Sequence, residues 1–124
     1  MRTLHSPSEA YRRVDFDARV IGADPRQLLL VCYEQLDAAL GRALHAAAAG
    51  DNAMKSDALT RALTAISALQ LGVDPAAEIA QALNQLYGAA RQVLLNSALQ
   101  FNPAALKQLR GDFFEISQSL NQAG

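Results

Sequence analysis

A single cysteine, Cys32, is all the thiol chemistry this chain of 124 residues carries. No intramolecular disulfide can form, which excludes the small secreted scaffolds that disulfides hold together. Tryptophan is absent, and four prolines and seven glycines are too few for a collagen-like or low-complexity chain. Neither sign of charge prevails: 11 basic against 12 acidic residues leave a formal net charge of -1. A strongly basic nucleic-acid binder and a polyacidic tail are both disfavoured, and the basic residues form no stripe interleaved with aromatics. Long apolar runs are missing as well. The longest, Leu28 to Tyr33, falls far short of the roughly 20 residues that span a bilayer. Met1 to Arg13 is mixed and polar, without the apolar stretch of a signal peptide. The expectation is a soluble cytoplasmic protein that inserts into no membrane and binds no nucleic acid.

What remains is 51% hydrophobic, enough for one core in one domain. Alanine and leucine dominate while valine and isoleucine are few, a mix that favours helix over strand. The punctuation is clear. Three times an Asx residue precedes a proline: Asp24-Pro25, Asp74-Pro75 and Asn102-Pro103. An Asx side chain at N-cap accepts from an orphan backbone N–H, and proline at the first helical position loses no intrahelical bond. Asp24 also has Gln27 three residues on, the spacing of a capping box. A further start lies at Gly50-Asp51-Asn52, and Gly72 offers a stop. The pattern predicts an N-terminal arm over 1–23 and a single helical domain over 24–124. Its helices are expected at about 25–49, 52–71, 75–98 and 103–122. Periodicity agrees: Leu106, Leu109, Phe113, Ile116 and Leu120 recur at helical spacing, as do Ile79, Leu83, Leu86, Ala90 and Leu94. Leu59, Leu63, Ile66 and Leu69 supply the stripe of the second helix. Short linkers make consecutive helices antiparallel neighbours. The predicted fold is all-α, an antiparallel four-helix bundle with an N-terminal arm or short extra helix.

Chemistry-bearing groups do not assemble. His5 and His45 are far apart and neither has a partner at metal-ligand spacing. Cys32 sits inside an apolar run, the setting of an inert buried thiol. No Gly-rich phosphate loop and no paired carboxylates are present, so no enzyme activity, metal or other cofactor is expected. One rival is a histidine phosphotransfer domain using His45. Such domains place a lysine and a glycine soon after the histidine, whereas His45 is followed by Ala46, Ala47, Ala48, Ala49 and Gly50.

The informative anomaly is a surplus of apolar residues. On a helical wheel Leu28, Leu29, Cys32, Tyr33, Leu36, Ala39, Leu40, Ala43 and Leu44 fill one broad arc of the first helix. Leu30 and Val31 fall outside it, among Gln27, Glu34, Gln35 and Asp37. Phe114 leaves the seam of the fourth helix towards Lys107, Arg110 and Gln118, and Leu95 leaves that of the third. With an apolar arm (Val14, Phe16, Val20, Ile21), these residues suggest a surface that receives a partner.

The stretch from Ala10-Tyr11 through Val20-Ile21-Gly22-Ala23-Asp24-Pro25-Arg26-Gln27-Leu28-Leu29-Leu30-Val31-Cys32-Tyr33-Glu34 resembles the start of the flagellar export chaperone family FliS. Ile79-Ala80-Gln81-Ala82-Leu83-Asn84-Gln85-Leu86-Tyr87 is similar to that family's third-helix segment, with its leucine-tyrosine pair. The likeness runs over about residues 10–120. Asp24 stands where the family usually has serine, Gly22 where it has threonine and Cys32 where it has leucine. The resemblance implies a non-enzymatic cytosolic chaperone that binds the C-terminal segment of flagellin. It would prevent premature polymerisation and assist delivery to a component of the flagellar export gate. Taken with the off-seam residues of the wheel (Leu30, Val31, Leu95 and Phe114), the resemblance suggests a partner-binding groove and cap that also includes Tyr11, Val20, Tyr33 and Tyr87, with Tyr11 as the anchor of the arm. Two alternatives stay open on the residues alone: phosphotransfer through His45, and an unrelated helical adaptor or dimerisation module. Whether free copies pair as a homodimer also stays open.

Overall fold

The computed structural model describes residues 25–122. The expected arm over 1–23, with Tyr11 and Val20, and the Asp24 cap lie outside the described residues. Four helices follow one another: α1 (Pro25–Ala48), α2 (Asn52–Leu71), α3 (Ala80–Leu99) and α4 (Pro103–Gln122), with no strand among the described residues.

Helix ends follow from local hydrogen bonding. Past the last turn of α1 the chain turns at Gly50, whose φ is +73°. Asp51 N donates to Ala46 O at 2.8 Å and Gly50 N to Ala47 O at 3.2 Å, so two of the last carbonyls of α1 are satisfied. A side chain at position 50 would meet the strain of the left-handed region. The next helix begins at once, because Met54 N donates to Asp51 Oδ1 at 3.0 Å. In the same way Ala105 N donates to Asn102 Oδ1 at 3.1 Å at the start of α4.

Asp74-Pro75 behaves differently. The expected helix start at residue 75 is corrected to Ala80. Asp74 Oδ1 accepts from Ala76 N at 2.9 Å, two residues on, and Asp74 O accepts from Ala77 N at 3.0 Å. This local turn competes with helix propagation. A second tight turn follows, from Ala80 N to Ala77 O, before Leu83 N donates to Ile79 O at 2.9 Å. Ile79, expected in the seam of the third helix, is therefore 61% exposed and precedes α3.

The bundle is antiparallel. Arg91 Nη1 of α3 donates to Ser67 Oγ of α2 at 2.9 Å, while Lys55, a dozen residues earlier in α2, lies over the Phe101 ring just beyond α3. Sequence advances on one helix as it recedes on the other. α1 packs most extensively on α2 and next on α4, α2 packs on α3, and α3 meets α4 most sparsely. Leu36, Leu40, Ile66, Leu94, Leu106 and Tyr87 are the large side chains most completely enclosed. Cys32, Leu59, Leu69, Leu109 and Phe113 complete the same core, with Leu83, Leu86, Ile116 and Leu120 packed against it. Arg26, in the first turn of α1, donates to the backbone oxygen of Leu120 and so ties the far end of α4.

The outer side of α1 departs from the wheel. Leu30 is half-buried, and Val31, expected at the surface, is buried with 4% exposure. Val31 is not a member of the four-helix core cluster. A wheel places a residue relative to the bundle axis and counts no neighbours on the far side, which is why it misses this burial. Arg42, on the same face eleven residues later, also has its Nε buried.

Leu36→Ala is expected to destabilise the bundle by about 2–5 kcal/mol, because it empties a fully enclosed site. Leu30→Ala should lose well under that, and chemical denaturation of the two variants checks the ordering.

Candidate functional site

The site grows from the way α4 lies beside α1. Along α1, Tyr33, Asp37 and Leu44 recur at spacings that keep them on the flank facing α4, and Leu30 continues the same line towards the helix start. Along α4, Lys107, Arg110, Gly111, Phe114 and Ser117 share one face. Between the two helices runs a groove with two connected hollows. The larger, about 490 Å3, is lined by Asp37, Leu44, Lys107, Arg110, Gly111 and Phe114. The smaller, about 170 Å3, is lined by Tyr33, Glu34, Asp37, Phe113, Phe114 and Ser117. Asp37 and Phe114 belong to both, so they stand where the hollows meet. From Tyr33 to Leu44 the groove follows three turns of α1, about 16 Å.

A polar tie crosses its floor. Arg110 Nε donates to Asp37 Oδ1 at 2.9 Å and Arg110 Nη2 to Asp37 Oδ2 at 3.3 Å, a two-point contact from α4 to α1. The carboxylate holds the guanidinium proton still more firmly than usual. Gly41 makes room for it: a Cβ there would stand 2.9 Å from Arg110 Nη2. Both side chains remain more than two-fifths exposed, so solvent screening keeps the pair to about 1 kcal/mol or less. Its role is geometric, fixing α4 across the flank of α1.

Beneath the smaller hollow lies an aromatic knot. Tyr33 Oη and Tyr87 Oη are 2.7 Å apart, one donating to the other. The Phe113 ring is tilted against Tyr33 at 5.6 Å between centroids and stacked with Tyr87 at 6.1 Å. Tyr33 is 3% and Tyr87 1% exposed. Burial pushes both phenols above their ordinary value of 10.0; for Tyr33 the bond to Tyr87 adds to the shift. Burial raises the Cys32 thiol too, which keeps it unreactive.

Of the residues expected to meet a partner, the structure brings Tyr33 and Phe114 to one groove. Phe114 is 53% exposed; Tyr33 and Tyr87 are too enclosed to be more than floor and support. Val31 is buried, and Leu95, 39% exposed on α3, lines neither hollow. Sequence reasoning missed Asp37, Leu44, Lys107 and Arg110 as groove residues, and Gly41 as the seat of Arg110. Gly41 was the available signal, since glycine inside a helix asks for a reason and close approach is one.

An open, largely apolar groove between two helices of a bundle is a surface with room for a partner. Residues 7–123 match the family described as flagellar protein FliS. Over 117 residues the chain is 30% identical to the flagellar secretion chaperone FliS of Salmonella typhimurium, an alignment that takes in 92% of this chain and 87% of that protein. The chain belongs to the FliS family of flagellar secretion chaperones. That is a family of chaperones and not of enzymes, and it displaces both the phosphotransfer and the unrelated-adaptor alternatives. Among the described residues no helix is long and apolar enough to cross a membrane.

The tyrosine pair makes a sharp prediction. Tyr33→Phe orphans the hydroxyl of Tyr87 and should destabilise the fold by about 1–3 kcal/mol. Adding Tyr87→Phe should recover much of that loss. Because both phenols titrate higher in the folded state, their stabilisation is complete below pH 10.0 and declines as pH rises beyond it. Denaturation at neutral and alkaline pH should show the double variant losing less than the parent.

Proposed function

We propose that this protein binds the C-terminal segment of flagellin along the α1–α4 groove. It holds the segment from polymerising in the cytosol and assists its delivery to a component of the flagellar export gate. The observation that carries this reading is the groove itself, with the half-exposed Phe114 ring at its centre in a chain of the secretion-chaperone family. A chain end that polymerises on contact with its like must be kept apart by covering its apolar side chains. A groove about three turns long accepts such a segment as an amphipathic helix or an extended strand. Leu30, Leu44 and Phe114 supply the apolar contacts and Tyr33 the floor. Tyr11 and Val20, from the N-terminal segment, act as cap residues on this reading, and Leu95 contributes from outside the groove.

Phe114→Glu tests it. The carboxylate stays in water in the free protein and is desolvated against an apolar partner in the complex. Titration with a synthetic C-terminal segment of flagellin from the same cell should show binding lost, with the thermal melt nearly unchanged. Val31→Glu is the contrast: buried at 4% exposure, it should lower the melting temperature by several degrees. Parent-like binding by Phe114→Glu would place the segment elsewhere, and a parent that binds no flagellin segment would overturn the reading.

A further inference from the structure

The charges lining the groove are not equivalent. Arg110 is neutralised by Asp37 through two hydrogen bonds, and the Gly41 seat holds it there. Glu34, at the smaller hollow, is already engaged. Lys107 lines the larger hollow, is exposed, and has no ion pair or hydrogen bond of its ammonium group among the described residues. Occupation of the groove would cover a paired floor at little electrostatic penalty and leave one cation uncompensated beside the bound chain. Lys107 also has a fixed relation to the main apolar contact. It stands on the same face of α4 as Phe114, two helical turns away, about 10 Å.

We infer that Lys107 is a specificity-determining residue: the groove selects a segment carrying a carboxylate against Lys107, about 10 Å along from an apolar side chain packed beside Phe114. In a helical segment that separation is seven residues; in an extended one it is three. The Asp37–Arg110 tie sharpens the choice. By satisfying Arg110 internally it leaves Lys107 as the cation that reads the partner, so charge selects register while Leu44 and Phe114 supply contact area. A cation of this exposed kind acts chiefly on association and on its salt dependence.

The inference rests on the flagellin reading above, and one double-mutant cycle separates the two. The probes are the synthetic C-terminal segment of flagellin and the same peptide with every Asp and Glu replaced by Asn and Gln. Each is titrated into the parent, Lys107→Gln and Lys107→Glu at low and high salt, with thermal melts to confirm that all three are folded. The parent is expected to lose about three- to fivefold in affinity on amidation of the peptide, and a similar factor from low to high salt. Lys107→Gln should be nearly indifferent to amidation, and Lys107→Glu should bind the amidated peptide the better of the two. Single Asp→Asn and Glu→Gln replacements then locate the coupled carboxylate, which should lie three or seven residues from an apolar residue. Equal losses on amidation in the parent and both variants would overturn the role of Lys107 and leave the groove reading standing. No binding of either peptide to the parent would overturn both.

Discussion

Where α3 passes α4 the two backbones approach least, and the seam depends on the knot of Tyr33, Tyr87 and Phe113. Each ring comes from a different helix, α1, α3 and α4, so one cluster joins three elements at once. The two phenols share a hydrogen bond in a place where water does not reach, and each is therefore the other's means of staying inside. Phe113 fills the space between them and sets the rotation of α4. Once Phe113 points inward, Phe114, one residue and about 100° further round, must leave the core. The exposed ring that marks the groove is thus a geometric consequence of the buried one beside it.

The same rotation explains the polar side of the groove. Arg110 stands one turn before Phe113 and Phe114, on the flank that meets α1, and a guanidinium there needs both a partner and a surface to lie on. Asp37 is the partner and the bare Cα of Gly41 is the surface. The tie carries little free energy because it is wet on one side. Its effect is on local position: it holds the Arg110 side chain against α1 at Asp37 and Gly41, while the interdigitated core side chains hold the two helices in register.

Much of this was legible in the residues. Asn102 and Asp51 cap helices as their spacing predicts, and the stripes of α2 and α4 are the buried ones. These features are local, since a cap or a 3-4 repeat needs only neighbours within one turn. Asp74 shows the limit of the local rule. The same Asx-Pro pair closed a turn instead of opening a helix, because its side chain accepted two residues on, and nothing in the dipeptide distinguishes the two outcomes. Val31 shows a second limit, as cover on the outer side of a helix has no period to read. For the groove, the surplus ring Phe114 stood out from its seam. Asp37 and Arg110 did not, because they are 73 residues apart in the chain and meet only through the packing of α1 on α4.

On the proposed reading, a groove built this way suits holding that must later be undone. Its walls offer a few large apolar contacts over about three helical turns, enough to cover a short amphipathic segment and too little to bury it as a core would. Its floor carries charges that are already matched, so covering them neither gains much nor loses much. The free energy of occupation then falls on a small number of side chains near Phe114, the pattern in which affinity is set mainly by the rate of departure. Bundle stability, by contrast, is vested in Leu36, Leu40, Ile66, Leu94 and Leu106, none of which lines the groove. On the proposed reading, filling or emptying the groove leaves that core as it is, and the bundle keeps its fold in both states.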